Sequence, residues 1–264
     1  AGGLPGGYDD PAYTIPQLII QWGKEPIYSS PDGLFGHAII DLMRRGTKLV
    51  NINPRITWTG SRAVMNVQLR PGTDAALAMA MLIIEEDLYD HEFVDLWCFG
   101  FDDLAERVKT MPPEKAAEIC EIPAEQIYKL ARLYATSKPA AIAWGVSIDQ
   151  SPNGSQAGQA ILALMSITGN VDVPGGQVLV SVSGKQEDID SVGWPEMKQE
   201  LKEAIIGHEE YPFYTGGLKM SQADRQLDAL ETGKPYPIHF TWIGETNLIA
   251  PTCSAQPKRW YDAL

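Results

Sequence analysis

The sequence predicts an α/β fold: a doubly wound, mostly parallel sheet with helices on both faces. Three observations carry that expectation. Strand-like and helix-like stretches alternate along the chain. The strand stretches are continuous apolar runs, as in a sheet covered on both sides, rather than the in–out alternation of a sheet with one wet face. Polar loops bearing Gly or Pro follow these strands, where ligands bind at the carboxyl edge of a parallel sheet.

The elements follow in order. "PQLIIQWG" (16–23) reads as a buried strand ending in Gly, and Leu34–Arg45 as a helix with Gly46 as its C-cap. "TKLVNINP" (47–54) and "VMNVQLRP" (64–71) are the next two strands. A Pro71-Gly72 turn and Thr73 then lead into a helix from Asp74 to Glu86 that is apolar on nearly every face. Residues 90–120 read as short helices, and Pro123 opens an amphipathic helix stopped by Lys138-Pro139. "AAIAWG" (140–145) is a strand, Ser155–Thr168 a helix closed by Gly169, and "GGQVLVSVSG" (175–184) a further strand candidate. Residues 185–235 are polar and weakly patterned, and "PIHFTWIG" (237–244) is a last strand candidate.

Composition narrows the function classes. The chain has 264 residues and a net charge of −13, which argues against nucleic acid or an anionic membrane surface as partner. No apolar run approaches the roughly 18 residues that span a bilayer. Cys98, Cys120 and Cys253 form no CxxC pair, and His37, His91, His208 and His239 show no metal-ligand spacing. The opening "AGGLPGGYDDP" and the closing "QPKRWYDAL", which reads as a helix just begun, are those of a piece of a longer multidomain protein. Its compartment is not legible.

Four strand-end loops should share one edge, which favours a small-molecule site over an interaction surface. Lys24, Ser29 and Ser30 offer donors to an anion, although neither GxGxxG nor GxxxxGK[ST] is present. Asn53, with Arg55 two residues on, either takes ribose hydroxyls or forms a turn with Pro54. Asp74 either caps its helix or reads a base: a carboxylate accepts two parallel hydrogen bonds, and guanine's Watson–Crick edge offers two adjacent donors where adenine does not.

Taken in order, these loops resemble the molybdopterin oxidoreductases of the dimethyl sulfoxide reductase type. The family's W-G-x-N-P loop stands here as "WGKEPIYSS", its D-P-R-x-T-x-T-A as "NPRITWTG", and its P-G-T-D-A-A-L segment recurs at 71–77, followed by "EEDLYDHEFV". "LARLYATSKPAAIAWG" and "LMSITGNVDVPGG" also match, so the resemblance covers roughly residues 14–176. It implies a Rossmann-like domain, about 1–184, binding one guanosine half of a molybdenum bis(molybdopterin guanine dinucleotide) cofactor. Trp22, Gly23 and Ser29 would then lie along the pyrophosphate, with Asn53 and Arg55 near the ribose. Asp74, after Gly72, would hold the guanine, and Gly145, Gln150 and Asn153 would approach the pterin. Residues 185–235 would be a linker or excursion. Residues 236–264, with Gly244 and Asn247 in a looser G-x-N-P match, would begin the return into a neighbouring domain.

The family's metal-binding side chain and any iron–sulfur ligands lie nearer the N-terminus than this piece reaches, so the resemblance implies no catalytic or metal-ligating residue here. The implied partners are the remaining domains of the parent chain and an iron–sulfur electron-transfer subunit. The implied parent chemistry is electron or oxygen-atom transfer on a small substrate, with hydration in a minority of relatives. Two departures stand out. Glu25 replaces an Asn beside the phosphates, where Lys24 offsets its charge or Glu25 points to water, and Asn53 replaces the usual Asp. They leave room for a pterin-less scaffold of the kind found in the large subunit of respiratory complex I. The "KPAAIAWG" stretch also resembles the middle domain of thiamine-diphosphate enzymes, which would not explain PGTDAAL.

Overall fold

The computed structural model describes residues 14–29, 33–178, 193–244, 246–250 and 256–264. Among these, four strands form one parallel sheet: β1 (Leu18–Trp22), β2 (Lys48–Ile52), β3 (Met65–Val67) and β4 (Ala140–Trp144), in the order β3-β2-β1-β4. Trp22 pairs in register with Ile52 on one side and Trp144 on the other. The chain winds outward from β1 through β2 to β3 and then returns to place β4 on the opposite side of β1. That reversal between β1 and β4 is the switch point of a doubly wound sheet.

Both faces of the sheet are covered, the physical reason its strands read as largely apolar runs, interrupted by the buried amides Gln21 in β1 and Asn51 in β2. Leu18, Ile20 and Trp22 point into the larger core with Val50, Ile52 and Ile142. Ile19 and Leu49 point the other way, onto Ile39 and Leu42. The latter belong to α2 (Leu34–Arg44), which follows the short α1 (Pro26–Ser29). The larger core is closed by α3 (Asp74–Met81), α6 (Pro113–Cys120), α7 (Ala124–Thr136) and α9 (Gly154–Ile167). Between them lie α4 (His91–Trp97), α5 (Phe101–Val108) and α8 (Val146–Asp149).

Several boundaries differ from expectation. α3 ends at Met81 rather than Glu86: Leu82 leaves helical geometry, and Ile84–Glu86 form a 3-10 turn. Three acids in succession at a helix C-terminus oppose its dipole, and Glu86 instead accepts two 2.7 Å hydrogen bonds from Arg132 on α7. β3 covers only 65–67. Pro123 is the N-cap of α7, in extended geometry, rather than its first helical residue. Of the expected strand at 175–184, Gln177 makes an isolated bridge to Val171; residues 179–184 lie outside the described residues, as do Ser30 and Cys253.

The chain divides into two compact units, Ala1–Ser181 and Val182–Leu264. In the second, the segment expected as linker or excursion carries α10 (Gln199–Glu203), α11 (Pro212–Gly217) and α12 (Ala223–Thr232). α13 (Pro257–Ala263) joins α12 through Arg259, which bonds Asp228 at 2.8 Å and also Glu231. The expected strand at 237–244 is an unpaired extended segment, with Phe240 and Trp242 exposed. An apolar run becomes a strand only where a neighbour satisfies its backbone groups, and none does so among the described residues.

Candidate functional site

At the switch point two glycines cross. Gly145 donates its N–H to the Trp22 carbonyl at 3.0 Å, and Gly23 donates to the Ile52 carbonyl at 2.9 Å. Gly23 has φ +57, which glycine adopts freely. A Cβ on Gly145 would sit 2.4 Å from the Gly23 carbonyl oxygen, and one on Gly23 would sit 2.1 Å from Ser147 Oγ. Ser147 donates its hydroxyl to that carbonyl at 2.7 Å. Main chain from β1 and β4 thus packs directly on main chain at the sheet edge, with the Ser147 hydroxyl closing the contact.

Asp74 stands beside this crossing. The N-cap position is Thr73, but its hydroxyl donates to the Arg70 carbonyl at 2.6 Å and caps nothing. Asp74 is the first helical residue, only 8% exposed, and its Oδ1 accepts the indole N–H of Trp22 at 2.9 Å. Burial pushes its carboxyl above the usual range, while the Trp22 indole and its own backbone N–H pull it back. Cys120 on α6 donates its thiol to the Thr73 carbonyl, and burial raises that thiol. Asn153 links the two loops: its Nδ2 donates to the Gly72 carbonyl at 3.3 Å, and its Oδ1 accepts from Ser151 at 2.8 Å.

At the end of β2, Asn53 accepts the Arg55 N–H at 3.0 Å, closing a turn over Pro54, and the Arg55 side chain is exposed. Glu25 behaves in neither of the two ways expected. Its carboxylate accepts the Thr59 hydroxyl, turning inward to the loop after β2. Lys24 does not offset it, because its ammonium sits 4.0 Å above the Phe35 ring.

The structure therefore gathers Trp22, Gly23, Gly145, Gly72, Asp74 and Asn153 around one edge, with Asn53 and Arg55 at the adjoining strand end. Ser29 and Gln150 are exposed, and the Ser29 hydroxyl is engaged by the Glu25 carbonyl at 2.9 Å. The side chain of Trp22, expected along a pyrophosphate, is wholly buried and its N–H is committed to Asp74. Ser147 was missed, since nothing in its neighbours marks a hydroxyl that reaches back 124 residues to Gly23.

Comparison with known proteins completes the description. The sequence model of the family described as molybdopterin oxidoreductase matches residues 16–249. The chain is 37% identical over 221 residues to acetylene hydratase of Syntrophotalea acetylenica, covering 74% of this chain and 30% of that protein. It is 32% identical over 289 residues to the dimethyl sulfoxide reductase DmsA of Haemophilus influenzae, covering 94% of this chain and 33% of that one. A 34% identity over 159 residues links it to formate dehydrogenase H of Escherichia coli, covering 60% and 22%. Among solved structures, acetylene hydratase from Pelobacter acetylenicus superposes with a TM-score of 0.66 at 33% identity, covering 85% of this chain and 34% of that one. The chain thus spans about a third or less of the length of these relatives.

Proposed function

This chain belongs to the molybdopterin oxidoreductase family, in its dimethyl sulfoxide reductase branch, and from that premise we propose that it holds one guanosine half of a bis(molybdopterin guanine dinucleotide) cofactor. The observation that carries the reading is Asp74: a carboxylate 8% exposed, beside a switch point, with only the Trp22 indole donating to it from a side chain among the described residues. Its remaining acceptor capacity matches the two parallel donors of guanine, and adenine would offer one donor and set its N1 lone pair against the second oxygen.

The surrounding residues fit such a group. The Gly23–Gly145 crossing packs main chain on main chain too tightly for a Cβ on either residue, which fixes the backbone at the switch point. Glu25, the charge that replaces the family's Asn, accepts the Thr59 hydroxyl at one carboxylate oxygen and buries the other without a partner. Gly23 would face the pyrophosphate, Asn53 and Arg55 the ribose, and Gly145 and Asn153 the pterin side. When bound, the cofactor supplies the metal centre at which the parent's small substrate exchanges electrons or an oxygen atom. This chain binds and orients; the remaining domains of the parent and an iron–sulfur electron-transfer subunit complete the machine. A second reading of the parent's chemistry, hydration at the same centre, is favoured by the name of the relative at 37% identity.

The test is thermal unfolding of the 264-residue chain with GDP or ADP, repeated on Asp74→Asn. Ligand at about a hundred times its dissociation constant adds roughly 2.7 kcal/mol, a rise of about 5–10 °C. The expected result is a shift with GDP alone that disappears in the variant. Equal shifts with both nucleotides would refute base reading by Asp74, and no shift at all would favour the pterin-less scaffold.

A further inference from the structure

We propose that Trp22 is the positioning residue of the nucleotide site: its indole N–H, bonded to Asp74 Oδ1 at 2.9 Å, fixes the plane of the carboxylate so that the remaining lone pairs meet two parallel donors. The inference rests on the guanine reading above and deepens it. A carboxylate at the start of a helix can swing about its χ angles, and a swinging acceptor cannot hold a two-pronged donor at fixed spacing. Trp22 cannot swing. It is the last residue of β1, 0% exposed, clamped in register between Ile52 and Trp144. It thus carries the rigidity of the sheet to Asp74 across 52 residues of sequence. The Thr73 hydroxyl supplies no substitute, because it is spent on Arg70, which leaves the Asp74 backbone N–H as the helix's own donor.

The same bond bears on protonation. Burial drives the Asp74 carboxyl up and the indole draws it down, so losing the indole moves the carboxyl further up. Around α3 the buried residues of α9 are apolar, those of α7 are apolar except the Tyr134 phenol, and α6 contributes the Cys120 thiol. Both the phenol and the thiol are raised by burial and stay neutral. Among the buried residues of α3, α6, α7 and α9, Asp74 is the one carboxyl.

Two measurements on the 264-residue chain test the assignment. In ligand-free protein, the Trp22 indole ¹⁵N–¹H resonance should move with pH, and that movement should vanish in Asp74→Asn, whose amide oxygen can still accept the indole. Trp22→Phe, which keeps an aromatic ring and removes the donor, should bind GDP on the order of tenfold more weakly. It should also lose GDP binding at a higher pH than wild type. Unchanged affinity and pH threshold in Trp22→Phe, or an indole resonance indifferent to pH in wild type, would overturn the role of Trp22. Failure of wild type to bind GDP while its indole titrates as described would overturn the guanine reading and leave the Trp22–Asp74 coupling standing. Should Trp22→Phe not fold, the indole titration decides alone.

Discussion

Gly145 lies against Gly23 so closely that a methyl group on the first would sit 2.4 Å from the carbonyl oxygen of the second. The obstacle is backbone, which cannot rotate away as a side chain can. Gly145→Ala should therefore destabilise the fold by about 1–3 kcal/mol, or about 2–4 °C of Tm for each kcal/mol. Thermal and urea unfolding check this. A variant as stable as wild type would mean that the crossing is loose and cannot serve as a fixed cradle.

Asp74 should be a residue that function keeps at the expense of stability. Its carboxyl is raised in the folded chain, so the folded state binds more protons than the unfolded state between the ordinary value of 3.8 and the raised one. Its burial penalty is then full above the raised value and relieved as pH falls toward 3.8. Ligand-free Asp74→Asn should melt higher than wild type at neutral pH, by about 2–4 °C if the difference is about 1 kcal/mol. The gap should close on acidification; a variant that melts lower at every pH contradicts the sign.

Asp90 has the opposite linkage. It caps α4 by accepting the Phe93 N–H at 3.0 Å and accepts Lys138 Nζ at 2.8 Å, and these bonds, the lysine first, hold its carboxyl below the usual range. Asp90→Ala should cost about 1 kcal/mol through loss of the cap. That stabilisation is fully present above the ordinary value of 3.8 and lost as pH falls through the lower folded value. Tm against pH for both proteins should show a constant gap near neutrality that narrows only in strong acid.

The Tyr134 hydroxyl is wholly buried, with Thr168 and Asn170 near it but no hydrogen bond completed, and burial pushes its phenol up. Removing a buried polar group that lacks a partner relieves a desolvation penalty. Tyr134→Phe should be neutral or stabilising, within about 1 kcal/mol. A clear loss of stability in chemical denaturation would mean that the hydroxyl is satisfied after all.

What the sequence determined by itself was whatever short-range patterning can encode. Largely apolar runs such as Leu18–Trp22, polar only at Gln21, announced strands buried on both faces, and Gly46 and Gly169 announced where helices stop. The loops at the strand ends carried enough motif to propose a site at Gly23, Asn53, Asp74 and Gly145. Tertiary structure decided what those residues do to one another. Trp22 is simply an apolar strand residue until folding sets its N–H against Asp74, and Glu25 is a misplaced charge until Thr59 turns it inward. The same holds where expectation failed. "PIHFTWIG" has the composition of a strand, yet a strand exists only when a second chain segment supplies the matching N–H and C=O groups. Side-chain partners 52 or 124 residues away leave no local trace, because the contact is selected by the packing of whole elements and not by the residues beside it.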